Sequence, residues 1–421
     1  MASYRWPRPK VEAAWPPEFM TSLSSILKIG RSGAPEVLTK VVFVSYGTFD
    51  CNSAGHIAGF ARELSRAGLS VAVCARDPVE KAYAFGPPAF EFFSLKDLMA
   101  DPQAVVGFDG ALQPASTMLV GWTPRKAARR ALSRAAQRTG ASYIVHFEDN
   151  EDHLAQLRAA EAGDQALQED RAERHRLLAG ALGATVIEPR LKQTLPEGLP
   201  VQLLEPGVDL EALAAPLPPA RRASLLKAAG VPAGARVVVY PGNIHRANAQ
   251  EMAELYKAIG ALRAAGLQLV LVKTGKDDVR LADLIGFEPA QAGIIELGMV
   301  ERPFLVELIK CADLFVQPGA PGPFNDYRLP SKLPEFMAVG RPIILPKANV
   351  GLRLRDGEDA LLMDSGSAEE IAGKVGRLLD HPELGDKLAR NAQAFARRTY
   401  VWSRQGETLL SFLRGLKAPS G

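Results

Sequence analysis

Cysteine is scarce: Cys51, Cys74 and Cys311 are too few and too scattered for a disulfide framework or a metal knuckle. Long apolar runs are also missing. Apolar runs such as those around residues 237–240 and 267–272 fall far short of the roughly 20 residues needed to span a bilayer. The opening stretch MASYRWPRPKVEAAWPP lacks the apolar core of a secretory signal. Nor does one charge dominate, since 50 Lys+Arg against 47 Asp+Glu leave a formal +3, which does not point to a nucleic-acid partner. No short-period repeat is visible. What is present is ordinary globular material, 47% hydrophobic and 23% charged, which excludes wholesale disorder. At 421 residues the chain exceeds one typical domain, so two or three domains are expected. These features predict a soluble, cytoplasmic, multidomain protein.

Residues 1–36 differ from the remainder. Trp6, Pro7, Pro9, Trp15, Pro16 and Pro17 precede a short stretch, 18–28, in which Phe19, Leu23, Ile26 and Leu27 recur at helical spacing. A helix packed on the main body is the simpler reading, and a membrane or partner contact the alternative. From residue 39 the pattern becomes strand, turn, helix, strand. KVVFVS (40–45) has the character of a buried strand, and a helix with Ile57, Phe60, Ala61 and Leu64 on one face stops at Gly68. The unit recurs at 117–121, 124–138 and 142–146. A second series begins after residue 209: strand 237–240, a helix 248–265 with Asn248 as N-cap and Glu251 three on, and further alternation to residue 345. The tail from 368 to 416 reads as helical, with breaks near 381–382 and 399–401. Strands alternating with helices imply parallel sheets covered on both faces. Two such α/β units in one chain predict a cleft at the carboxyl ends of their strands.

Three segments can carry chemistry. The turn SYGTFDCNSAGH (45–56) links a strand to a helix N-terminus, where Gly47, Ser53 and Gly55 offer backbone N–H groups to an anion. It lacks the spacing of a dinucleotide fingerprint or a P-loop, and Asn52 or Ser53 as a simple helix cap is the alternative. HFEDNEDH (146–153) follows a strand and sets four carboxylates in five positions. Such crowding requires solvent, a helix start, cations or a metal. Glu151 and Asp152 suit the first turn of a helix, whereas His146 and Glu148, two apart at a strand end, are candidates for contact with substrate. No stable metal site is expected. In the third segment, 323–342, Ser331 is a good N-cap, and Lys332 sits where a helix dipole disfavours a cation unless it holds an anion. Glu335 lies three positions on and can accept two ribose hydroxyl hydrogen bonds, each worth roughly 1.5–3 kcal/mol. A Lys332–Glu335 surface pair is the simpler alternative.

PGVD (206–209), ADLFVQP (312–318), KLPEFMAVGRP (332–342) and DGEDALL (356–362), in this strand–loop–helix order, resemble glycosyltransferases of family 4. The resemblance runs over residues 38–415 and is strongest in the second half. It implies a GT-B fold, two Rossmann-like domains facing a cleft, with an N-terminal extension at 1–36. An acceptor-side domain would cover 37–208, a nucleotide-sugar domain 209–395, and a C-terminal helix at 396–421 would return toward the first domain. It further implies transfer of a hexosyl-type sugar from a nucleotide-diphosphate sugar to a glycan or small-molecule acceptor hydroxyl, with retention, without metal or other cofactor. On that reading Glu335 binds the ribose, and Lys332 with Arg246 and Lys273 neutralises the diphosphate. Gly242, Asn243 and Ser331 line the donor pocket, Glu148, His146 and Lys332 serve the chemistry, and the Gly47 and Gly242 loops close over the donor.

The sequence also departs from that family. Tyr327 stands where the first of two glutamates is often found, with Asp326 adjacent, and PGNIHR (241–246) replaces the usual Gly-Arg and following Lys. Two rival readings follow. One is a sugar-nucleotide epimerase recruiting His146, Glu148 and His245; the other is a catalytically silent GT-B module that binds glycan or a partner. The basic run Arg125, Lys126, Arg129, Arg130, Arg134 and Arg138 reads as a solvated helix face, with an anionic acceptor, membrane face or partner protein as its alternative contact.

Overall fold

The computed structural model describes residues 37–49, 51–77, 90–110, 112–162 and 164–416. The amphipathic stretch at 18–28 lies outside them. The first sheet comprises β1 (Lys40–Thr48), β2 (Ser70–Arg76), β3 (Glu91–Ser94), β4 (Thr117–Trp122), β5 (Ser142–Phe147), β6 (Gly183–Val186) and β7 (Val201–Leu203). Its order is β3-β2-β1-β4-β5-β6-β7, and every pairing is parallel. Helices cover both faces, so β4 and β5 are buried along their whole length, which explains runs such as MLV and YIV without polar alternation.

The second sheet is built from β8 (Arg236–Pro241), β9 (Leu269–Thr274), β10 (Ile294–Glu296), β11 (Phe315–Val316), β12 (Ile343–Pro346) and β13 (Leu361–Met363). Two parallel three-stranded ladders, β10-β9-β8 and β11-β12-β13, are joined by a parallel bridge between Val238 and Leu314. Both sheets reverse strand order next to their first strand, between β1 and β4 and between β8 and β11. In open α/β sheets ligands bind outside the carboxyl ends of the strands at such points.

The chain's last described helix, Trp402–Gly415, does not lie on the second sheet. It packs against the helix Asn52–Arg66, with Trp402 edge-on to Phe60 at 5.4 Å and Gly406 against Glu63. Leu409 and Leu413 are fully buried there, and each contributes about 1.5–3 kcal/mol. Phe60 continues the stack to Trp122, with ring centres 5.5 Å apart. Among the described residues no helix is long and apolar enough to cross a membrane.

The basic helix, Lys126–Thr139, is only partly a solvated face. Arg129 is buried and donates to Asp170 and Glu173, each at 2.7 Å, and to the Pro124 carbonyl. Lys126, Arg130, Arg134 and Arg138 form the exposed stripe. Two expected caps are also used differently. The Asn248 side chain accepts the His245 N–H at 2.8 Å and closes the preceding turn, while Glu251 turns away toward Asn325. Lys332 rather than Ser331 occupies the cap position of the helix Leu333–Val339.

Candidate active site

The carboxyl ends of the two sheets face each other. Asn52, just after β1, donates through Nδ2 to Ser331 Oγ at 3.3 Å, and Arg190, beyond β6, pairs with Asp326 at 2.7 Å. The residues gathered at these ends fall into two clusters.

In the first, Glu148 sits one residue past β5 with both carboxylate oxygens engaged. Oε1 lies 2.7 Å from His56 Nδ1, while Oε2 accepts from Ser53 Oγ and, at 3.3 Å, from Thr123 Oγ1. Burial alone would raise this carboxyl, but the His56 hydrogen bond and charge, with help from His146 and Ser53, outweigh it and hold Glu148 well below the usual range. Thr123 adopts φ +59°, a strained conformation for a β-branched residue, fixed by its N–H donating to the His146 carbonyl at 2.8 Å. The alternative of Asn52 or Ser53 as a simple helix cap does not hold: neither side chain caps it, and Ser53 is turned to Glu148.

His146 lies beneath this cluster. It is fully buried, its Nδ1 is 2.8 Å from Thr185 Oγ1, and its ring stacks on Trp122 with centres 3.8 Å apart. Burial pushes its pKa down to about 3, against the opposing pull of Glu148. The neighbouring carboxylates are occupied: Asp149 and Glu151 pair with Arg125, which also stacks over Tyr46 at 4.2 Å. Asp152, in the first turn of the helix Glu151–Ala162, pairs with Arg174.

The second cluster surrounds the loops after β8, β9 and β11. Lys332 Nζ lies 3.2 Å from Tyr240 Oη and 4.4 Å from the centre of that ring, alongside Gly242. Arg328 stacks over Phe324 at 3.8 Å, donates to Asn325 Oδ1 and reaches Glu251 at 3.5 Å. Partial burial and the positive charges of Arg328 and Lys332 push His245 down. Among the described residues, buried oxygens without a hydrogen-bond partner include Gln317 Oε1, Asp326 Oδ1, Asn349 Oδ1 and Glu251 Oε2, the last with Arg328 3.5 Å away. Each is an acceptor, which suits a ligand rich in hydroxyl groups or bound water.

Several residues singled out from sequence have other partners. Lys273 is fully buried, held by Asp277 and by the Gly275 carbonyl, so it ties a loop and does not face the cleft. Glu335 pairs with Arg302 through both oxygens and not with Lys332. Asn243 Oδ1 accepts the Lys276 N–H at 2.8 Å, joining the β8 and β9 loops, and Arg246 is exposed. Asp326 is held by Arg190, and Tyr327 packs on the core. Gly47 lies against Cys51, and Gly55 belongs to the helix that carries Ser53. Sequence spacing does not single out His56, Thr123 or Arg328. The partners of His56 and Thr123 are 92 and 25 residues away, and no local spacing signals them.

Glu188, near the Arg190–Asp326 link, accepts the Arg190 N–H at 2.6 Å, and burial raises its pKa to about 7. Its folded value exceeds the unfolded one, so its contribution is fully present below about pH 4.5 and is lost as pH rises to 7. The variant Glu188→Gln is therefore expected to exceed wild-type stability by about 2–3 kcal/mol at pH 8 and to match it near pH 4.5, measured by urea unfolding.

Two doubly wound sheets with facing carboxyl edges define a GT-B protein. Residues 235–381 match the family described as Glycosyl transferases group 1. The chain is 28% identical over 199 residues to alpha-D-kanosaminyltransferase of Streptomyces kanamyceticus, covering 46% of this chain and 49% of that one. It is 31% identical over 160 residues to D-inositol 3-phosphate glycosyltransferase of Thermomonospora curvata, covering 38% and 32%. The chain spans about half the length, or less, of these curated relatives. In fold it is similar to Anabaena HepE in complex with UDP, with a TM-score of 0.66 and 15% identity over 90% of this chain and 100% of that one.

Proposed function

We propose that the chain transfers a hexosyl-type sugar from a nucleotide-diphosphate sugar to an acceptor hydroxyl, with retention and without a metal ion. The observation that carries this reading is Lys332, set beside Gly242 at the second switch point, with Glu335 one helical turn along and Arg328 four residues before Lys332. The departing diphosphate gains negative charge as the sugar leaves, and fixed cations there stabilise the transition state more than the ground state. Glu335 would accept the ribose hydroxyls once they displace Arg302, whose half-exposed side chain can move into solvent at little cost. UDP bound to the Anabaena neighbour supports a nucleotide donor. Residues 37–208 are assigned to the acceptor side and 209–395 to the donor side. The stripe Lys126, Arg130, Arg134 and Arg138 is the surface offered to an anionic acceptor or membrane face.

Titration of the full chain with UDP, GDP and ADP by calorimetry tests this. One nucleotide should bind, and Glu335→Gln should weaken it about tenfold, the loss of one charge-assisted hydrogen bond. Binding unchanged by that substitution removes Glu335 from the ribose site. The anomeric coupling of the product, read by NMR, decides retention.

A further inference from the structure

We propose that Tyr240 positions the Lys332 ammonium for the donor diphosphate without neutralising it, an assignment that rests on the transferase reading above. Residues two apart at a strand end share a face, so Gly242 lies over the Tyr240 ring at the end of β8. A Cβ at Gly242 would stand 3.2 Å from Tyr240 Cε1, 3.2 Å from Lys332 Cε and 3.1 Å from Lys332 Nζ. The missing side chain therefore leaves a slot between the Gly242 backbone and the ring, and the end of Lys332 fills it. Inside the slot Nζ donates to Tyr240 Oη at 3.2 Å and lies 4.4 Å from the ring centre. Tyr240 is only 2% exposed and belongs to the core of the second sheet. It is a fixed wall against which a flexible four-carbon stem is held.

What sets this lysine apart is the charge of its partners. Lys273, opposite Tyr240 in the β8–β9 ladder, gives its ammonium to Asp277. Lys332 has no carboxylate partner among the described residues. Of the other charged groups on this side, Arg328 and Glu251 lie 3.5 Å from each other. A phenol oxygen and an aromatic face attract an ammonium but carry no net charge, so they place it and leave its charge to act on an anion. A carboxylate at the same point would have to be displaced by the diphosphate. An ammonium has three N–H donors, and Tyr240 Oη takes one of them, so two remain for phosphate oxygens. Holding the side chain in place beforehand spares the ligand the cost of ordering it. Tyr240 is thus a positioning residue: it acts on the donor through Lys332.

The full-length chain is titrated with UDP, GDP and ADP and with uridine, guanosine and adenosine, and the ratio of diphosphate to nucleoside affinity is followed for the base that binds. Lys332→Met keeps the stem and removes the ammonium, and should lower this ratio at least about tenfold. Tyr240→Leu removes both contacts and should lower it about tenfold. Tyr240→Phe keeps the ring without the hydroxyl and should lower it about threefold. Nucleoside affinity should be unchanged in all three. In the Lys332→Met background neither Tyr240 substitution should lower the ratio further, because the effect passes through the ammonium. A packing role alone would weaken nucleoside and diphosphate together, and equally in both backgrounds. An unchanged ratio in Tyr240→Leu, or the same loss with Lys332 already removed, overturns the assignment and leaves the transferase reading intact. A Lys332→Met chain with the wild-type ratio, or a wild-type chain that binds no diphosphate more tightly than its nucleoside, overturns both. Should Tyr240→Leu not fold, Tyr240→Phe conserves the core volume, and an unchanged ratio there overturns the assignment alone.

Discussion

Acidification from pH 7 to pH 4 is expected to cost the folded chain about 3–4 kcal/mol through His146 alone. Its imidazole is held neutral down to about pH 3 by complete burial between Trp122 and Thr185, whereas the unfolded chain protonates it near its ordinary value of 6.5. The folded pKa is depressed, so the contribution is complete above pH 6.5 and is lost as pH falls toward 3. Glu148 adds to the loss in the carboxylate range, because its folded value also lies below the ordinary one. Glu188 acts in the opposite direction between about pH 4.5 and 7. The measurement is therefore a difference between variants and not a bare pH curve. His146→Asn, which can still meet Thr185, should lose about 3 kcal/mol less than wild type between pH 7 and 4 in urea unfolding. Parallel curves for the two proteins would mean that His146 takes up its proton within the fold.

Gly275→Ala is expected to lower stability by about 2–4 kcal/mol and to weaken nucleotide binding as well. Gly275 has φ +98°, and a Cβ there would lie 2.6 Å from the carbonyl carbon of Gly242 and 2.7 Å from Asn243 Oδ1. Backbone is on the receiving side of that contact, so no side chain can move away to relieve it. The β8 and β9 loops are held together at this point: Gly242 N–H donates to the Thr274 carbonyl at 3.1 Å, and Ile244 N–H to the Lys276 carbonyl at 2.9 Å. Forcing them apart shifts Gly242 away from Lys332. Gly286 serves as the control, with φ +82° and nothing within 4 Å of a built Cβ. Gly286→Ala should cost only about 1 kcal/mol and leave binding alone. Equal effects at the two positions would show that backbone conformation, not the approach of the loops, sets the cost.

The alternation of strands and helices was legible because parallel sheets covered on both faces require apolar runs, and these stand out at β1, β4, β5, β8 and β9. Short strands were not. β3, β7 and β13 have only four, three and three residues, too few for a periodicity. Gly68 marks a helix end correctly, since it takes a positive φ just past its helix. At the cleft the sequence revealed residue types but not partners. Lys273 ends a strand and reads as a cation facing the ligand, yet Asp277, four positions on, folds back over it. Glu335 and Lys332 read as a pair by spacing, but Arg302, from a different helix, reaches Glu335 first. His56 carries no local signal, because its partner arrives from the other side of β4.

The placement of the helix Trp402–Gly415 affects how the chain can fold as it is made. The first sheet's outer helix, Asn52–Arg66, leaves Phe60 and Gly59 to be covered by Trp402, about 340 residues later in the sequence. Every strand of the first sheet emerges from the ribosome before its final covering does, and the second sheet is synthesised in between. The part of the molecule made first is thus among the last to be completed, with apolar surface exposed while the rest is translated. A nascent chain stopped short of residue 402 should bind chaperones through the Phe60 face, and release should coincide with the arrival of Trp402.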